Sequence, residues 1–223
     1  MKKRFIFVAV LLFVVLAIDQ SLKIWIKLNM SLGESFNLFG DATWAKIYFT
    51  ENLGMAFGIE FGNGWGKLIL SLFRIIAVSG IGYMIYSLIK KQASYIILCS
   101  ITLIFAGAFG NIIDSAVYGL VFSESTGIRV AQFMPDNGGY ADFLYGRVVD
   151  MFYFPMIDTT FPEWLPIWGG KPFRFFQAIF NVADASIFTG VSIILLFHKH
   201  FFATDWETGK PKVEATNTTE INA

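Results

Sequence analysis

Residues 94–118 read SYIILCSITLIFAGAFGNIIDSAVY. As a helix rising 1.5 Å per residue, this run is long enough to cross the ~30 Å hydrocarbon core of a bilayer. Near its end it nevertheless carries Asn111 and Asp114. Polar and ionisable groups inside a membrane helix are costly unless they face protein, so the segment predicts a bundle with a shared polar interior.

Three further apolar stretches of similar length lie at 5–27, 65–89 and 174–197. Composition agrees: charged residues make up 15% of the 223, against roughly 25% in ordinary soluble domains, and mean hydropathy is +0.58. Lys2, Lys3 and Arg4 precede the first stretch as in a signal peptide, but no small-residue cleavage site follows, so a retained helix is expected. Lys90 and Lys91 sit between the second and third stretches and Lys199 after the fourth, which places both termini on the cytoplasmic side. The expected fold is an all-α membrane bundle of four transmembrane helices, with a small β-sheet and loop cap on the outer side.

Two outer loops follow, 28–64 and 119–173. Alternating residues around Trp44 to Phe49, punctuated by Gly54, Gly58, Gly62 and Gly64, predict a small sheet on the outer leaflet. The second loop is broken by Gly138-Gly139, Pro155, Pro162, Pro166, Gly169-Gly170 and Pro172, and its aromatics suit a surface resting at the headgroups. A membrane-embedded domain thus spans 1–202, and the polar segment 203–223 predicts a disordered cytoplasmic tail. Cys99 has no second cysteine or nearby histidine and reads as a buried core residue. His198 and His200 fit the cytoplasmic end of the last helix and are assigned no chemistry.

Counted from the cytoplasmic helix ends, Asp19 and Asp184 lie about 21 Å up, Arg74 about 24 Å, Asn111 about 26 Å and Asp114 about 30 Å. All four helices bring polar groups to one depth. A single such group often does no more than glue helices together by hydrogen bonding; convergence at one level points to a site. Asn111 with Asp114, and Asn181 with Asp184, are three apart, so each asparagine can donate an amide hydrogen bond beside its carboxylate. Asp19 and Lys23 have the spacing of an intrahelical ion pair, read as a structural anchor. Asp150 lies between two valines and Met151-Phe152-Tyr153-Phe154, flanks that carry a carboxylate to a membrane face. Two carboxylates a few ångström apart share a proton and can activate water.

These residues resemble the lipoprotein signal peptidases, or signal peptidase II. Asp19-Gln20 with Lys23 is similar to that family's D-Q-x-x-K, and Asn52-Leu53-Gly54-Met55-Ala56-Phe57 to its N-x-G-x-A-F. Gly107 to Asp114 resembles G-x-x-G-N-x-x-D, Gly146 to Asp150 G-x-V-V-D, and Phe180 to Asp184 F-N-x-A-D. The resemblance implies an aspartyl endopeptidase of the bacterial inner membrane, with Asp150 and Asp184 as catalytic dyad near the periplasmic face. Asn52, Gly54, Asn111, Asp114, Asn181, Asp19 and Lys23 become supporting residues. It further implies diacylglyceryl-modified prolipoproteins as substrates, cut just before the modified cysteine, with membrane lipid around the site. Globomycin is the implied inhibitor; no metal, organic cofactor or nucleic acid is expected.

Two departures stand out. Ser115 occupies the place of the family's usual arginine after G-N-x-x-D, so Arg74, Arg147 or Arg174 is expected to supply the cation at Asp114, with Arg74 and Arg147 the leading candidates. Segments 120–145 and 155–172 are longer than in the family, and the second outer loop is expected to cap the site and move. The rivals are an ion-coupled transporter and a noncatalytic membrane assembly factor. Neither internal repeats nor broken mid-membrane helices support the first, while tolerance of asparagine at both dyad positions would mark the second.

Overall fold

The computed structural model describes residues 1–52 and 65–198. Three of its helices are long and apolar enough to cross a membrane. They are α1 (Lys2–Asn29), α2 (Trp65–Lys90) and α3 (Tyr95–Ile113), the last continuing through a π-helical turn at Asp114–Tyr118 and a short α4 at Gly119–Val121. They coincide with the stretches expected at 5–27, 65–89 and 94–118. Ser94 sets the start of α3, its hydroxyl oxygen accepting the Ile97 backbone N–H.

The burial pattern reverses that of a water-soluble protein. Phe13, Phe73 and Phe188 point outward at 73%, 66% and 74% exposure, whereas Lys23, Lys27 and Asp114 are fully enclosed. That is the arrangement of helices solvated by lipid around a polar interior.

The fourth stretch differs from its expected span of 174–197. Helix α5 begins at Val182 and runs to Leu196, while residues before it form two strands, β5 (Pro172–Phe175) and β6 (Ile179–Phe180). Hydropathy merges them because Phe173, Phe175, Phe176, Ile179 and Phe180 keep the run apolar despite Arg174 and Gln177. The boundary is set by hydrogen bonding: Asn181 caps α5 in a reciprocal capping box with Asp184.

Strands β1 (Ser35–Asn37), β2 (Lys46–Asn52), β3 (Val148–Tyr153) and β6 form one antiparallel sheet in the order β1-β2-β3-β6. The sheet expected in the first loop therefore exists but is completed by the second. Its β2–β3 register pairs Thr50 with Asp150 and Asn52 with Val148, after an irregularity between Ile47 and Thr50. A bulge there bends and twists the strand just before it reaches the site. Strand β4 (Ile157–Thr160) pairs with β5 in a separate hairpin.

Two apolar clusters flank the polar layer. One joins Val8 of α1, Ile85, Leu88 and Ile89 of α2 and Ile97, Leu98 and Ile101 of α3. The other gathers Ile26, Met30, Phe49, Tyr118, Phe122, Val149 and Met151 under the sheet. Between them α3 and α5 approach so closely that a Cβ on Gly107 would lie 2.1 Å from the Ala183 carbonyl oxygen. Gly146 is equally constrained, its Cβ position 2.2 Å from the Asp114 carbonyl oxygen. These contacts set α5 beside Asn111 and the start of β3 beside Asp114.

Gly54 and the rest of its motif through Phe57, Gly58, Gly62 and Gly64, Lys199, His200 and the tail 203–223 lie outside the described residues.

Candidate active site

Lys23 is the centre of the polar layer. Its ammonium lies 2.9 Å from Asp19 Oδ2, 2.8 Å from Asp114 Oδ2 and 2.9 Å from Asn111 Oδ1, so all three of its protons have acceptors. The intrahelical Asp19–Lys23 pair is present as expected. The arginine expected at Asp114 is replaced: Lys23, one turn along α1 from Asp19, provides that cation. Gln20 Nε2 donates to Asp114 Oδ1 at 2.9 Å, and the Val149 N–H donates to Oδ2 at 3.3 Å. Arg147 turns instead to Glu51 and Glu124, at 3.3 and 3.1 Å. Arg74 is half-buried on α2, within electrostatic range of Asp184. Ser115 is buried, its hydroxyl donating to the Asn111 carbonyl at 3.1 Å and its own carbonyl accepting the Gly146 N–H at 2.8 Å.

Asp114 opens the π-helical turn, a distortion frequent at functional sites. Asp19 also reaches α5, accepting the Ala183 N–H at 2.8 Å. A helix start carries unpaired N–H groups and partial positive charge, so Asp19 and Asn181 together satisfy the first turn of α5.

The two asparagine side-chain amides do not donate to the carboxylates three residues further on; they cross over to other segments, while the Asn181 backbone N–H goes to Asp184 Oδ2, at 3.3 Å. Asn111 Nδ2 donates to Asp184 Oδ1 at 2.9 Å, and Asn181 Nδ2 donates to Asp150 Oδ1 at 2.7 Å. Their orientation follows from the partners of the opposite amide atoms. Asn111 Oδ1 accepts from Lys23, a donor only, and Asn181 Oδ1 accepts the Asp184 backbone N–H at 2.9 Å. Flipping either amide would set a donor against a donor. Lys23 thus fixes Asn111, which holds Asp184, and the α5 cap fixes Asn181, which holds Asp150. Asn52 Nδ2 completes the shell, 3.4 Å from Asp150 Oδ2.

Four carboxylates, those of Asp19, Asp114, Asp150 and Asp184, meet two cations here, Lys23 and Arg74. An excess of negative charge in a site shielded from water favours holding one proton. Burial first, and the Asp184 charge second, push the Asp150 carboxyl up to about 7. Among the described residues no group of three or more His, Cys, Asp or Glu side chains could hold a metal ion.

Several polar residues went unassigned in the sequence. Gln20 stands inside a motif yet was given no role. Lys27 continues the Asp19–Lys23 stripe at the same four-residue interval, a visible signal, and is fully buried against Glu51 and Ser125. Lys67 and Ser71 of α2 donate to the carbonyls of Tyr145 and Leu144, at 2.5 and 3.3 Å; a contact this distant in sequence leaves no local pattern.

Comparison with known proteins places this geometry. The family model for signal peptidase (SPase) II, Peptidase_A8, matches residues 11–201. A lipoprotein signal peptidase of Porphyromonas gingivalis is 48% identical over 190 residues, 85% of this chain and 81% of that protein. One from Amoebophilus asiaticus is 36% identical over 180 residues, 80% of this chain and 72% of that protein. A solved bacterial membrane enzyme superposes with a TM-score of 0.54 at 24% identity, covering 87% of this chain and 88% of that one, which speaks for the fold alone.

Proposed function

The chain belongs to the signal peptidase II family, and from that premise we propose that it cleaves prolipoprotein signal peptides as an aspartic endopeptidase with Asp150 and Asp184 as its working pair. The supporting observation is the crossed pair of asparagine amides, which presents two electrostatically coupled carboxylates in fixed orientation.

In this reading Asp150, the more buried of the two, carries the shared proton at neutral pH, and Asp184 is the base. Asp184 takes a proton from the attacking water as Asp150 protonates the scissile carbonyl oxygen; the proton on Asp184 then passes to the leaving nitrogen as the C–N bond breaks, and the collapsing diol returns a proton to Asp150. Asn52 lies beside the pair, where its amide can also bond an extended substrate backbone. No cofactor enters these steps. The substrate is a diacylglyceryl-modified prolipoprotein, cut before the modified cysteine, with its acyl chains kept among helices and lipid.

Helix α5 serves as a fourth, shorter membrane helix, and the sheet lies on the periplasmic face of the bacterial inner membrane with both termini cytoplasmic. The test is incubation of the purified protein with a diacylated prolipoprotein. Release of the signal peptide with the modified cysteine as the new N-terminus, blocked by globomycin, is expected; no cleavage, or cleavage of the unlipidated precursor at the same rate, overturns the reading.

A further inference from the structure

Glu51 is nearly sealed from solvent, at 2% side-chain exposure, and its carboxylate is held by residues outside the dyad. Its Oε1 pairs with the Lys27 ammonium and accepts the Ser125 hydroxyl at 3.1 Å, and its Oε2 pairs with Arg147 at 3.3 Å. Lys27 also receives the Phe122 and Tyr140 ring faces, with its nitrogen 5.3 and 5.1 Å from their centroids. One carboxylate therefore joins the end of α1, the end of β2 and, directly, Ser125 and Arg147 of the 119–147 segment, with Phe122 and Tyr140 joined through Lys27.

That segment is held at several points by its own backbone. Its backbone returns on itself through Ser123 N–H to Gln132 O at 2.9 Å, Met134 N–H to Val121 O at 2.7 Å and Tyr140 N–H to Phe122 O at 3.0 Å. Phe122, Ser125 and Ala131 are buried.

Successive residues of a strand point to opposite faces. Glu51 is anchored behind β2, opposite Val149, while Thr50 and Asn52 lie on the face of Asp150. We infer that Glu51 is a positioning residue: held from behind by Lys27, Arg147 and Ser125, it fixes the last turn of β2 so that the Asn52 amide stays on Asp150 Oδ2. The inference rests on the dyad reading above and gives the long second-loop segment a task, that of buttress.

Asn52 donates to the ionised form of Asp150, so loosening it raises the pH at which Asp150 gives up its proton. The charged groups facing Asp150 are Asp184 from α5 and Lys23 from α1, with Asp114 behind Val149. Those around Glu51 are Lys27, Arg147 and Lys67, with Glu124 beyond Arg147. None of these is altered by Glu51→Gln or Asn52→Ala.

The test is a double-mutant cycle of Glu51→Gln and Asn52→Ala, reading kcat, KM and the pH profile of lipoprotein cleavage. Glu51→Gln is expected to lower kcat about tenfold, to raise KM modestly because Asn52 can also bond the substrate backbone, and to move the basic limb of the profile upward, the pattern expected of Asn52→Ala. In the Asn52→Ala background it should add less than about twofold. Ser125→Ala, which removes one hydrogen bond from the same carboxylate without changing charge, should repeat the pattern in smaller measure and serves if Glu51→Gln does not fold. Multiplicative losses with an unmoved basic limb overturn the positioning role. If Asp150→Asn itself stays active, the dyad reading has failed instead, which separates the two outcomes.

Discussion

Lys23 shows how much one fully buried side chain can organise. Its three protons are divided among Asp19, Asp114 and Asn111. Lys23→Met therefore leaves two buried carboxylates uncompensated and removes the acceptor constraint on Asn111. Breaking such an ion cluster by removing one partner costs about 3–5 kcal/mol, so the variant should lose thermal stability in detergent as well as activity; unchanged melting would show that Lys23 is not the cation of this layer. Because Lys23 already meets that demand and Ser115 is buried against Gly146, Ser115→Arg is expected to destabilise the protein rather than raise its activity. Equal melting of variant and parent would contradict this. With Asp150 as the proposed acid, the reaction is expected to depend on pH. A raised carboxyl is protonated below its folded value and loses its proton as pH rises through it, so cleavage that needs the acid form should decline as pH rises through about 7. A kcat profile flat between roughly pH 5 and 9 would exclude Asp150 as the acid.

At the level of elements, the approach of α3 to α5 decides whether Asn111 reaches Asp184. Gly107→Val would put side-chain atoms into the Ala183 carbonyl, and overpacking on this scale costs about 2 kcal/mol or more. The expected result is a lower melting temperature and lost activity even though residue 107 touches neither dyad carboxylate; normal activity and stability would mean that the two helices can part without harm. The elements were unevenly legible in the sequence. The three long helices were marked by unbroken hydropathy, and their bounds follow. The start of the fourth was misplaced because Phe173 to Phe180 is mostly apolar without being helical, although Asn181 and Asp184 already carried the spacing of a cap. Strand pairing between β2 and β3 joins residues about a hundred positions apart, a relation that no local period expresses.

Over the whole molecule, a polar layer lies between two apolar clusters, and outward-facing aromatics surround both. The candidate residues brought together were mostly those that the ordered motifs had singled out: Asp19, Lys23, Asn52, Asn111, Asp114, Asp150, Asn181 and Asp184. Their types and order were readable. Their pairing was not, since the crossed amides and the lysine on Asp114 arise only when four segments meet. The pairing of buried Lys27 with Glu51 has no such signal, and Arg147, a candidate for Asp114, pairs with Glu51 instead, because charged residues near a loop read as solvated until the fold encloses them.

The most direct test of the central claim is the rate of prolipoprotein cleavage by purified Asp150→Asn and Asp184→Asn proteins, each first shown to melt as a folded membrane protein. Asparagine keeps the volume and an acceptor for the neighbouring amide but cannot exchange the proton. Each variant is expected to lose about 10³-fold or more in kcat with its melting little changed; a folded variant of either kind that cleaves at near the parent rate would contradict the account.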